Sequence, residues 1–71
     1  MKTRIKVLRT EQNINQQDLA KTVGVTRQTI NALENNRYNP SLILAYKIMK
    51  ALNCERIEEV FIISEEELVW F

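Results

Sequence analysis

The 71-residue chain contains no histidine, one cysteine, one glycine and one proline. The missing imidazole removes the commonest general acid–base at neutral pH, and nothing else in the chain points to catalysis. Without His, and with a single Cys and no clustered ligand pattern, no metal site and no cofactor are expected. A lone Cys54 cannot close an internal disulfide and is read as a small buried apolar side chain. No apolar run is long enough to cross a bilayer and no secretory signal opens the chain, so a cytoplasmic protein without a membrane partner is expected. One domain is expected, near the lower limit of size for a core without staples.

Charge of either sign is plentiful but unevenly placed. The formal net charge is +1, yet residues 1–50 carry nine Lys or Arg against three Asp or Glu, and residues 51–71 carry one Arg against six Glu. The two segments therefore stand at +6 and −5. A basic front and an acidic tail suit a protein that docks one face on a polyanion.

The stretch Gln16 to Asn35, QQDLAKTVGVTRQTINALEN, holds the chain's one glycine and its clearest pattern. Leu19, Ala20 and Val23 share one helical face, Gly24 and Val25 interrupt it, and Ile30 and Leu33 resume it. Asn15 is a suitable N-cap for the first helix, with Asp18 three positions on, and Thr26 caps the second. Gly24 fits the left-handed conformation that ends a helix abruptly, and Val25 plugs the corner. Two helices joined through such a turn form a helix-turn-helix.

The outward face of the second helix has a different composition. Counting about 100° per residue from Arg27, Gln28 lies near 100°, Asn31 near 40° and Asn35 near 80°, away from Ile30 and Leu33. Arg bonds bidentately to guanine, and Asn or Gln to adenine, in the major groove. Thr26, Arg27, Gln28 and Asn31, at the front of the helix, are the expected base readers. Taken singly, each is an ordinary surface residue. The turn spacing is what makes them a site.

These residues, with the stretches RIKVLR, INQQDLA, YNPSLILAYKI and IEEVF, resemble the Cro/C1-type (XRE, lambda-repressor-like) helix-turn-helix regulators. The likeness runs from Arg4 to Phe61, about four fifths of the chain. It implies an all-α, five-helix bundle binding double-stranded DNA, and it is strongest toward compact dimeric regulators without a ligand domain. It also implies a salt bridge between Arg9 and Glu34, and phosphate contacts from Gln16 and from the loop after the third helix. Gln17, Thr29, Asn35, Arg37 and Tyr38 complete the expected phosphate set, with Arg37 and the loop amides bonding phosphate oxygens. Tyr38 could equally pack its ring on the core. Three positions depart from the family pattern. Asn36 stands where Gly is frequent, Asn13 takes the first interhelical bend, and NCER after Leu52 is one residue longer than usual.

Helix 1 is expected from Thr3, as N-cap, to about Gln12, burying Ile5 and Leu8. Asn39 and Pro40 resemble a cap and first turn for helix 4, with Leu42, Ala45, Ile48, Met49 and Leu52 as its buried stripe. Ile57, Val60 and Phe61 close the bundle in a short helix 5. Residues 1–62 then form the DNA-binding domain and 63–71 a tail. Within FIISEEELVWF, Phe61 to Ser64 is expected as a short strand pairing with residues 1–3. Phe61, Ile62, Ile63, Leu68 and Trp70 are the expected dimer contacts, placing two recognition helices one DNA turn apart. The functional expectation is a homodimeric repressor on a palindromic operator, with no small-molecule ligand. The alternative is an antitoxin whose apolar tail binds a toxin protein, and a controller of a restriction–modification system is a third reading.

Overall fold

The helices begin and end where single side chains take over orphaned backbone groups. In the computed structural model, which describes residues 1–68, α1 spans Ile5–Glu11, α2 Gln16–Val23, α3 Arg27–Glu34 and α4 Leu42–Ala51. The Asn15 carboxamide oxygen accepts from the Asp18 N–H at 2.7 Å, and the Thr26 hydroxyl accepts from the Thr29 N–H at 3.2 Å. Both are the expected N-caps.

Four of the described residues take positive φ: Asn13, Gly24, Asn36 and Asn53, with φ of 58°, 79°, 59° and 59°. Asn13 and Asn36 make the expected bends. Asn53 makes a third that the sequence reading passed over, inside the lengthened NCER segment. At Gly24 the space where a Cβ would stand holds no atom within 4 Å. Gly24→Ala should therefore cost only left-handed backbone strain, roughly 1–2 kcal/mol. Thermal melting should show a loss of several degrees, which Gly24→Asn largely avoids.

Three expected boundaries move, each for a visible reason. Thr3 does not cap α1, because it belongs to β1 (Lys2–Thr3), which pairs antiparallel with β2 (Phe61–Ile62). Lys2 faces Ile62 and Thr3 faces Phe61, and the Arg4 N–H extends the tie to the Val60 carbonyl at 2.8 Å. The strand pairing anticipated for the tail is present but shorter, since Ile63 and Ser64 lie outside it. Ser41 rather than Asn39 caps α4, its hydroxyl accepting from the Leu44 N–H at 3.1 Å. Leu44 therefore joins the core, while Leu42 in the first turn is 70% exposed. Helix 5 is a 3-10 turn, Ile57–Glu59, not an α-helix. The Glu59 carboxylate accepts from the Glu55 and Arg56 N–H groups at 2.8 and 2.9 Å. Those bonds hold its pKa below the ordinary value, and they fasten a segment too short to propagate. Among the described residues the fold is thus four α-helices, 3-10 turns and a two-stranded ribbon rather than all-α with five helices.

Ile5, Leu19, Ile30, Leu33, Ile48, Leu52 and Val60 are fully buried, one core drawing on every helix. Leu8 and Ile14 pack at its edge. Cys54 does so too, half-buried, with its thiol pushed above the ordinary pKa chiefly by burial and then by Glu59. At the far end of α1 the Gln12 amide donates to the Leu52 carbonyl at 2.7 Å and accepts from the Asn53 amide at 2.8 Å. This clasp joins the C-terminal ends of α1 and α4.

Phe61 is only 5% exposed, so its side chain serves the chain's own core instead of an external contact. Ile62, Ile63 and Leu68 are about half exposed, and Trp70 lies outside the described residues. Ile63 and Leu68 line an open apolar groove of about 520 Å³ with Met1, Pro40 and Leu42. A second 3-10 turn, Glu65–Leu68, carries the acidic run, and Glu67 pairs with the Met1 amine. No helix among the described residues is long and apolar enough to cross a membrane.

Candidate nucleic-acid interface

The interface is built on the α2–α3 hairpin. Leu19, Ala20 and Val23 of α2 and Ile30 and Leu33 of α3 are buried together, and Val25 packs half-buried at the corner. Burial of that face turns the other face of α3 outward, so Thr26, Arg27, Gln28 and Asn31 are all exposed. Thr26 is occupied as the cap, and its hydroxyl also meets that of Thr29 at 3.2 Å. Arg27, Gln28 and Asn31 are the longer arms projecting past it.

Arg27 belongs to a bonded chain that starts in the interior. Arg9 and Glu34 form a two-pronged ion pair, Nε to Oε2 at 2.8 Å and Nη2 to Oε1 at 3.2 Å. Their side chains are 13% and 5% exposed. The Arg9 Nη1 donates to the Ile14 carbonyl at 3.0 Å, fixing the loop between α1 and α2. Gln16 donates to the Glu34 Oε1 at 3.1 Å and accepts from the Arg27 Nε at 3.2 Å. Because Arg27 is held through Nε, its two terminal nitrogens are left for a bidentate acceptor. Arg9, Asn15, Gln16, Gln17 and Arg27 line an open cleft of about 410 Å³ at this edge.

The structure brings Gln16, Gln17 and Arg27 together and sets Arg37 and Tyr38 on the loop beyond α3, both exposed. The loop amides are another matter. The N–H groups of Asn35, Asn36 and Arg37 donate to the carbonyls of Asn31, Leu33 and Ala32, closing the helix. They are engaged there, so these three amides are not available to phosphate, and contact at their positions falls to side chains. Thr29 is half-buried with its hydroxyl against Thr26. Sequence reasoning missed the double link of Gln16 and the bonds from Asn35 to Asn31. The second had a signal, since amides spaced i, i+4 on a helix are neighbours.

An outward polar helix held over a buried hairpin turn defines a helix-turn-helix DNA-binding domain. A helix-turn-helix family model matches residues 5–60. An HTH-type transcriptional regulator of Archaeoglobus fulgidus is 56% identical over 68 residues, covering 96% of this chain and 94% of that one. One of Bacillus subtilis is 48% identical over 66 residues, covering 93% and 98%. The crystal structure of the restriction-modification controller protein C.AhdI from Aeromonas hydrophila superposes with a TM-score of 0.75 at 33% identity, covering 82% of this chain and 86% of that one. The chain belongs to the Cro/C1-type helix-turn-helix family of DNA-binding transcriptional regulators.

Proposed function

We propose that the protein is a homodimeric repressor that reads a palindromic operator through the major groove and occludes a promoter. The observation that carries this reading is the exposed trio Arg27, Gln28 and Asn31 on a helix fixed by a buried hairpin, with Arg27 braced by Gln16. Thr26 contributes at the helix start. Gln16, Gln17, Thr29, Arg37 and Tyr38 surround the trio as side-chain phosphate contacts, which set register without reading sequence. The excess of nine basic over three acidic residues in positions 1–50 supports docking of this part of the chain on DNA.

Dimerisation falls to the apolar groove and to the tail, residues 63–71. Exposed Leu42, Ile63 and Leu68 form a surface that a second copy would cover, with Ile62 exposed on the neighbouring strand face. A two-fold axis there would set two recognition helices about 34 Å apart. Sedimentation should show a dimer at micromolar concentration, and a monomer with and without operator would sink it. Co-purification of a second small protein on that groove would instead favour an antitoxin. The structural likeness to C.AhdI favours a related reading, control of a restriction–modification locus, with the same DNA chemistry and a different set of genes.

Binding measurements on duplexes selected from a random pool test the assignment. Arg27→Ala or Gln28→Ala should cost roughly 1–3 kcal/mol on the selected site and relax preference at one base pair per half-site. Equal losses on selected and random DNA would contradict it. Arg37→Ala should weaken all duplexes alike and reduce the slope of log K against log salt by about one.

A further inference from the structure

Asn31 does not stand free on the recognition face. One turn later, the Asn35 Nδ2 donates to the Asn31 main-chain carbonyl at 2.9 Å and to the Asn31 Oδ1 at 2.6 Å. The first bond fixes which end of the Asn35 carboxamide faces Asn31, because only an N–H group can satisfy a carbonyl oxygen. The atom of Asn31 that meets this N–H group must then be its oxygen. Both carboxamide orientations are therefore set by one backbone acceptor.

We propose that Asn35 is a specificity-determining residue that holds Asn31 as a hydrogen-bond donor and directs it to guanine. The inference rests on the proposed function, since it assumes that α3 lies in the major groove. With Oδ1 turned toward Asn35 and the next turn of α3, Nδ2 at the other corner of the carboxamide faces away from it. Bidentate pairing of Asn with adenine requires the oxygen to accept from N6 while the nitrogen donates to N7. Here one lone pair of the oxygen is engaged and the atom is aimed along the helix, so the nitrogen is the end that meets the base. Guanine offers two acceptors in the major groove, N7 and O6, whereas adenine sets a donor beside its single acceptor. The neighbouring Arg27 also has only donors to offer. Two adjacent arms of the reading face are thus donors, and the half-site beneath them is rich in guanine. Asn35, exposed and beside the phosphate-facing loop, acts here through Asn31 and not on a phosphate.

The test is selection of duplexes from a random pool with the wild-type protein, Asn31→Ala and Asn35→Ala. The position that loses its preference in Asn31→Ala identifies the base under Asn31. The wild type should select guanine there over adenine by about tenfold, the low end for one base contact. Asn35→Ala should release the carboxamide, raise adenine at that one position severalfold and leave the other positions unchanged. Selection of adenine by the wild type would overturn the proposal. So would an Asn35→Ala protein that keeps the guanine preference and weakens on all duplexes alike, the behaviour of a phosphate contact. A wild type that returns no half-site would overturn the DNA-reading assignment itself, an outcome distinct from the other two.

Discussion

Glu34→Ala should destabilise the protein by about 3 kcal/mol, measured by urea unfolding, because it leaves the Arg9 guanidinium buried without its counter-charge. Breaking one partner of a buried pair costs more than the pair contributes, since the remaining charge has lost water and gained nothing in return. With side chains 13% and 5% exposed, Arg9 and Glu34 are dry enough for that argument to apply. Arg9 retains one bond, to the Ile14 carbonyl, which keeps the expected loss at the lower end of the 3–5 kcal/mol range. A paired replacement, Arg9→Met with Glu34→Leu, should recover most of the stability, because apolar groups of similar volume need no solvation. Operator binding should not recover with it. Gln16 takes its position from the Glu34 Oε1, so the double variant leaves Arg27 without a brace however well it folds. Recovery of both properties together would show that the ion pair is purely structural.

Leu33→Ala should lower stability by roughly 2–5 kcal/mol and depress the melting temperature by more than about 10 °C. Leu33 is fully buried on the inner face of α3 within the apolar core, so its truncation leaves a cavity there. Since small domains are commonly stable by only about 5–15 kcal/mol, the variant sits near the edge of folding. Ile30→Val, on the same face, should cost only about 0.5–1.5 kcal/mol. The contrast checks that the recognition helix is held from beneath by volume rather than by its caps. Similar losses for both would argue against that.

The hairpin was readable from the chain because each of its parts has a local cause. Asn15 and Thr26 cap, Gly24 turns, and the apolar spacing of Leu19, Ala20, Val23, Ile30 and Leu33 sets the buried face. The pair Arg9–Glu34 was reachable only through family resemblance, since 25 residues separate its members and no periodicity links them. The boundaries misread were those decided at a distance. Thr3 is a sound cap by composition, but its backbone is claimed by Phe61. Asn39–Pro40 is a sound helix start, yet Ser41 supplied the better-placed hydroxyl, which moved Leu42 to the surface. Ile57 to Phe61 carries a helical pattern but too few residues to propagate beyond a turn. At the interface the identities of the readers were legible and their orientations were not. Orientation depends on bonds between side chains, such as Asn35 to Asn31, that spacing can permit but not establish.

The pairing of Lys2 and Thr3 with Ile62 and Phe61 also orders the steps of folding. All four α-helices lie between the two strands in sequence, and their contacts are local enough to form quickly. The ribbon instead closes a loop that spans all four helices, among the entropically costliest contacts of the described residues. Val60 and Phe61 are buried at that same ribbon, so the interior stays unsealed until it closes. For this protein the reading surface can be shaped early, while resistance to proteolysis arrives last.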